Sequence, residues 1–206
     1  PVFVDGRLVC FVCNIAHHAD IGGMAPGSMT GGREIYQEGL RIPPMRLFRQ
    51  GVLESDLFEL LLLNVRVPDE RRGDYYAQIA ACRLGEQRMT EIAGRYGVGT
   101  LVTGFDQIIR RTYERMIAAA AAAPAGTYAF TDRMDDDGHG ALDIPIAVRV
   151  TLGSGQAVIL DFEGSAPAVS GNIHRPFTAT QPSVPSVMRA MPDPGAPVTP
   201  GLLDPM

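Results

Sequence analysis

Residues 144–152, Ile-Pro-Ile-Ala-Val-Arg-Val-Thr-Leu, decide the fold class, because an apolar residue occupies every second position. This alternation is typical of a β-strand with one buried face. The turn signal Gly153-Ser154-Gly155 follows, and residues 156–162 have the composition of a partner strand. Upstream, residues 101–123 have helical spacing instead and end before Pro124. The chain therefore combines helices and strands in separate stretches.

The remaining elements extend this pattern toward the N-terminus. Residues 53–66 and 73–95 have helical periodicity. An Asp5-Gly6 turn joins two β-rich runs, residues 2–4 and 8–13, and the second is apolar enough to predict a buried central strand. The order predicts an α+β fold in which mixed β-sheet segments flank a central group of helices. Residues 1–181 form the predicted core, and residues 182–206, with seven prolines, are expected to be an irregular tail.

Composition excludes several classes of function. The 206 residues carry 18 basic side chains, all arginine, against 23 acidic ones, for a net charge of −5. A mildly acidic chain without a basic cluster is a poor candidate for binding nucleic acid or an anionic membrane. No apolar run approaches the roughly 18 residues of a membrane span. Three cysteines cannot all pair, which indicates a reducing, cytoplasmic compartment.

The sharpest chemical feature is the loop His17-His18-Ala19-Asp20-Ile21-Gly22-Gly23. Imidazole nitrogen and carboxylate oxygen, three residues apart in a loop, can converge on one divalent metal such as Zn, Mn or Fe. A third ligand would have to come from Glu38 or from outside the chain. The glycines would allow the backbone to approach a substrate closely. The alternative interpretation is a loop with two solvated histidines and a turn-forming aspartate.

Other candidate groups give weaker signals. Cys10 and Cys13 point to opposite faces of a strand and, like Cys82, are expected to be buried inert thiols. Asp135-Asp136-Asp137-Gly138 is either a second metal site or, more simply, a solvated acidic turn. Asn172 and His174 could orient a substrate or cap a turn. The chain contains no phosphate-binding loop of the G-x-x-x-x-G-K-[ST] type.

Together these segments resemble the hydantoinase B/5-oxoprolinase family. The resemblance runs in the family's order from residue 1 to about residue 181. Its motifs are residues 16–29 around the His17–Gly23 loop, 34–44, Asn64-Val65-Arg66, 73–78, 95–97, 134–138, Asp161–Gly164 and Gly171–Ile173. The order Asn172-Ile173-His174, with Pro182 and Pro185 after it, departs from the family's pattern of Gly-x-Ile-Asn followed by a helix.

The resemblance implies a large subunit of an ATP-dependent cyclic-amide hydrolase. An A-type partner would use ATP to phosphorylate the substrate's oxygen, and this B-type subunit would hydrolyse the activated amide within a hetero-oligomer. His17 and Asp20 map onto metal ligands of the carboxylase relatives. His18 and Glu38 become the candidate catalytic residues, with Gly22, Gly23, Ser28, Asp137, Asn172 and His174 as candidate substrate-binding residues.

Two alternatives follow from the same resemblance. One is an acetone-carboxylase-like subunit that carboxylates a ketone, and the other is a catalytically silent fragment that supports a partner. Family subunits are much longer than this chain, which is therefore expected to be an internal stretch of a larger subunit, incomplete as a domain and with exposed apolar edges.

Overall fold

A computed structural model describes residues 1–27, 31–153, 158–174, 176–190 and 193–202. The strands are β1 (Val2–Val4), β2 (Arg7–Cys10), β3 (Phe48–Arg49), β4 (Val52–Leu53), β5 (Gly126–Asp136), β6 (Leu142–Leu152) and β7 (Ile159–Asp161). The helices are α1 (Ser55–Leu63), α2 (Pro68–Tyr96), α3 (Val98–Ala122) and α4 (Phe177–Ala190), with short 3-10 helices at Ile35–Gln37 and Pro200–Leu202. This confirms the α+β class, and all the described strand pairs are antiparallel.

The first compact unit comprises residues 1–98 and contains the hairpins β1–β2 and β3–β4 with helices α1 and α2. Pro68 starts α2 because its missing N–H is no loss in the first helical turn. The side chains of Val2, Phe58 and Leu62 are almost fully buried, and Phe58 packs edge-on against the ring of Tyr75. This packing sets α1 against α2 and fixes the residues on either side of the connection between them.

The second unit comprises residues 99–206 and contains α3, the sheet β5-β6-β7 and α4. The predicted return strand is confirmed as β7, which pairs with β6 from Thr151 opposite Ile159 to Arg149 opposite Asp161. The predicted turn at 153–155 lies partly outside the described residues. Met116 of α3, Ala196 and Leu202 form a small buried cluster. That cluster anchors the segment after α4 onto α3.

The segment from residue 182 differs from the irregular tail that its prolines predict. α4 continues through Pro182 and Pro185 to Ala190, and its Arg189 donates a hydrogen bond to the carbonyl of Ala196. Asp193 accepts two hydrogen bonds from the Arg115 guanidinium, at 2.6 and 2.5 Å. These contacts join residues that are distant in the sequence. A sequence pattern indicates only the local tendency of proline to interrupt a helix.

One expectation about strands was wrong, and one strand was not expected. β2 pairs with β1 alone among the described residues, and Leu8 and Phe11 are exposed, so this run is not a buried central strand. β5 was not predicted at all, since its eleven residues are all exposed and lack an apolar alternation. Cys13 is likewise exposed, while Cys10 and Cys82 are half-buried and all three are unpaired. Exposed apolar side chains are frequent among the described residues and include Phe130 and Leu142.

Among the described residues, no helix has both the length and the apolar character required to cross a membrane.

Candidate functional site

Asp20 is the centre of the predicted signature loop in the structure, and its side chain is only 3% exposed. The backbone N–H of Arg66 donates to its Oδ2 at 2.5 Å, and the Arg66 guanidinium donates to its Oδ1 at 2.8 Å. The N–H of Gly22 donates to the same Oδ1 at 3.1 Å. The loop is therefore tied to the residues that connect α1 to α2.

The hydrogen-bond donors around Asp20 favour the ionised form of its carboxyl group. The backbone N–H of Arg66 lowers the pKa of the Asp20 carboxyl, and the Gly22 N–H and the guanidinium act in the same direction. Burial works against them by raising that pKa, but the net shift is downward. Asp20 is consequently an anion at neutral pH although it is withdrawn from solvent.

The glycines of the loop are required by chain packing. Gly22 and Gly23 adopt φ values of +87° and +81°, a region that other residues rarely enter. A Cβ on Gly22 would overlap the carbonyl oxygen of Asn64, and one on Gly23 would overlap the carbonyl oxygen of Gln37. The N–H of Met24 donates to that Gln37 carbonyl at 2.9 Å. The loop is thus held between residues 37–39 and the connection that follows α1.

His18 lies in a second cluster, on the face of α2. Its Nδ1 is 2.9 Å from Nη1 of Arg71, and because a guanidinium only donates, Nδ1 accepts. Nε2 therefore carries the proton and donates to Oε1 of Gln78 at 3.1 Å. Arg71 also forms an ion pair with Asp74 at 2.6 Å. The His18 side chain is 9% exposed, and both of its ring nitrogens have hydrogen-bond partners.

The residues predicted to bind a metal fit part of a metal site. His17 is exposed, and Oδ2 of Asp20 accepts one hydrogen bond from the described residues, which leaves it capacity for a further partner. Within the described ranges, no group of three or more His, Cys, Asp or Glu side chains is placed to hold a metal ion. Glu38 is half-buried, and its backbone packs against Gly23. The donor chemistry of His17 and Asp20 fits a divalent metal, and their convergence on one ion stays a prediction.

Asp137, predicted as a substrate-binding residue in a solvated turn, is buried in the second unit. Its Oδ1 accepts the N–H groups of His139 and Ala141 at 2.8 and 2.9 Å, and its Oδ2 accepts the N–H of Gly171 at 3.0 Å. The expected solvation of this turn was wrong for Asp137, because its third donor, the N–H of Gly171, lies 34 residues away in the sequence. Asp137 thereby joins two segments that the sequence analysis singled out separately.

We expect Asp137→Asn to flatten the acid sensitivity of the fold. Burial raises the pKa of Asp137, but the N–H groups of His139, Ala141 and Gly171 outweigh it, so the pKa lies below the ordinary 3.8. The stability from these hydrogen bonds is complete above about pH 4 and is lost as the pH falls through the lowered pKa. Urea unfolding at pH 7 and pH 3 should show a smaller difference for the variant than for the original chain. An equal difference in both proteins would contradict this assignment.

Three further residues, Ser28, Asn172 and His174, were also predicted to bind substrate. Ser28 lies outside the described residues. Asn172 is exposed beside Gly171, and Nε2 of His174 is 2.8 Å from the backbone nitrogen of Val169. Arg66, Arg71 and Gln78 were not predicted as site residues, although Arg66 and Gln78 lie in motifs quoted above. Arginine and glutamine in a polar stretch carry no local signal that they reach a loop some 50 residues away.

The signature loop thus carries a buried carboxylate that accepts hydrogen bonds from Arg66, and a histidine two residues earlier that contacts polar side chains of α2. The model of the family Hydantoinase B/oxoprolinase matches residues 1–206. The chain belongs to this family.

One relative and two solved structures are similar to this chain. The chain is 37% identical over 161 residues, 78% of its length, to the caprolactamase subunit beta of Pseudomonas jessenii and covers 28% of that subunit. The crystal structure of the ATP-dependent caprolactamase from that organism superposes with a TM-score of 0.76 at 32% identity, over 90% of this chain and 32% of that one. A nucleotide-free acetone carboxylase gives a TM-score of 0.82 at 20% identity, over 98% and 28%. This last likeness shows the fold alone.

Proposed function

We propose that this chain is the part of a B-type subunit that hydrolyses the activated amide in an ATP-dependent cyclic-amide hydrolase. The observation that carries the proposal is the Asp20 carboxylate, buried, ionised and fixed by Arg66 inside the family's signature loop. The family match over the whole chain and the relative named caprolactamase support it. The chain spans less than a third of that relative, so the proposal concerns one segment of a larger enzyme.

ATP chemistry is assigned to the partner. The 206 residues contain no phosphate-binding loop, and the relative is named as one subunit of a caprolactamase. We assign ATP use to an A-type subunit that phosphorylates the amide oxygen. Phosphorylation withdraws electrons from the amide carbon and makes it open to attack by water. The B-type subunit then has to hold that carbon while water adds to it, and protonate the nitrogen as the C–N bond breaks. The acyl phosphate left on the ring-opened product is hydrolysed by a second water to the carboxylate and inorganic phosphate.

In this proposal the residues of the loop and its neighbours have separate roles. His17 and Asp20 hold a divalent metal, which when bound polarises a carbonyl or activates water. Glu38 is the general base. His18 holds a proton at Nε2, and a substrate nitrogen that replaced Gln78 would face that proton. The backbone of Gly22 and Gly23 contacts the substrate in this proposal, and substrate binding by Ser28, Asn172 and His174 stays a prediction from the sequence.

The test uses the full-length subunit purified with its A-type partner. The complex is supplied with caprolactam, hydantoin or 5-oxoproline, each with and without ATP, and the ring-opened product and ADP are quantified. We expect ring opening of at least one substrate that requires both ATP and the partner. Metal analysis of the same complex should find a divalent ion. Ring opening without ATP, or none with any of the three substrates, would refute the proposal.

The same assay also tests two alternative functions. Carboxylation of acetone in the presence of bicarbonate would assign the chain to the carboxylase alternative, which the shared fold allows. Full activity of a complex in which Asp20 is replaced would favour a supporting role without catalysis. Neither outcome is expected, because the relative named caprolactamase subunit beta is 37% identical to this chain.

A further inference from the structure

We infer that Arg66 is a positioning residue of the signature loop, which sets the orientation of the Asp20 carboxylate and the course of the backbone at Gly22 and Gly23. The inference rests on the proposed function, since it concerns how the proposed site is held. Arg66 follows α1 and reaches the loop across 46 residues of sequence.

The contacts of Arg66 explain why this side chain orients the loop. Nη1 donates to Oδ1 of Asp20 at 2.8 Å, and Nη2 donates to the carbonyl of Gly23 at 2.8 Å. The backbone N–H of the same residue binds the other carboxylate oxygen at 2.5 Å. Arg66 therefore donates to both carboxylate oxygens of Asp20, so the carboxylate cannot rotate without losing a hydrogen bond.

The shape of the guanidinium makes the assignment specific to arginine. Its planar fork spans the Asp20 carboxylate and the Gly23 carbonyl at once, whereas the ammonium of a lysine is a single point of charge. The side chain is 43% exposed, so its role in the hydrophobic core is small compared with its role at the loop. Carboxylates that act in catalysis or bind metals are commonly oriented by such outer partners.

The experiment compares Arg66→Lys with Arg49→Lys in the full complex. Arg49 is the matched control, because it also pairs with a carboxylate in the first unit, Glu54 at 2.7 Å, but lies outside the loop. We expect Arg66→Lys to lower kcat for ring opening by about 10- to 100-fold with little change in the KM for ATP. Arg49→Lys should leave both unchanged. In Arg66→Ala, added guanidinium ion should restore part of kcat, with no effect on Arg49→Ala.

Amide hydrogen exchange provides a readout that does not depend on activity. The Gly22 N–H, which donates to Asp20, should exchange about 10-fold faster in Arg66→Lys, while the amides of α1 and α2 keep their protection. This arm decides the inference even if the complex hydrolyses no cyclic amide, and so separates its failure from that of the proposed function. Unchanged exchange at Gly22 would overturn it. So would loss of protection throughout the unit, because Arg66 would then be a folding residue.

Discussion

Replacing Asp20 by asparagine is expected to abolish ring opening while leaving ATP use by the partner subunit. The amide keeps the shape of the carboxylate but turns one of its oxygens into a donor, which then faces either the Arg66 N–H or its guanidinium. We expect kcat for ring opening to fall by about 100-fold or more, as it does when a preorganised charged group is lost from an active site. ADP and ring-opened product should be measured in the same reaction, so that their ratio reports the uncoupling.

Asp69→Asn is the matched control, since Asp69 is an exposed aspartate in the first turn of α2, outside the loop. It should retain the product-to-ADP ratio of the original complex. Thermal unfolding of both variants separates catalysis from folding, because loss of the Asp20 hydrogen bonds should cost about 1–3 kcal/mol. A ratio within about twofold of the original in Asp20→Asn would contradict a catalytic role.

Replacing Gly23 by alanine should strongly destabilise the first unit. The added Cβ would overlap the Gln37 carbonyl, and φ is +81°, so both packing and backbone oppose the change. We expect the free energy of unfolding to fall by more than about 3 kcal/mol. Urea titration followed by far-UV circular dichroism measures this loss.

Gly51→Ala isolates the backbone contribution. Gly51 has nearly the same φ, +83°, but a Cβ there would meet no atom within 4 Å. Its cost should be about 1–2 kcal/mol, the strain of the left-handed conformation alone. Equal losses in the two variants would show that the loop does not pack against residues 37–39 as described.

Much of the fold could be predicted because its signals are local. The helical period of residues 73–95 and the turn at Asp5-Gly6 depend on neighbours in the sequence, and both correspond to observed elements. Burial depends on distant partners and was predicted less well. The apolar run that contains β2 leaves Leu8 and Phe11 exposed, and α4 continues through Pro182 and Pro185 although proline ordinarily interrupts a helix.

In the candidate site, too, the local motif could be predicted and the distant partners could not. Asp20 was identifiable because its neighbours, two histidines before it and two glycines after it, form a recognisable motif. The partners of that motif were not, since the bond from Arg66 to Asp20 and the contact between Arg71 and His18 exist only after α1 and α2 have folded. Asp137 looked like a solvated turn because the third N–H that it binds comes from Gly171, 34 residues away.

The central claim is that this chain hydrolyses an activated cyclic amide, and isotope labelling tests it most directly. The full-length complex is supplied with caprolactam, ATP, ¹⁸O-labelled water and ¹³C-labelled bicarbonate, and the product is analysed by mass spectrometry. We expect a ring-opened amino acid whose carboxylate carries ¹⁸O from water, formed only with ATP and containing no ¹³C. A product containing ¹³C, or ring opening that proceeds equally well without ATP, would contradict it.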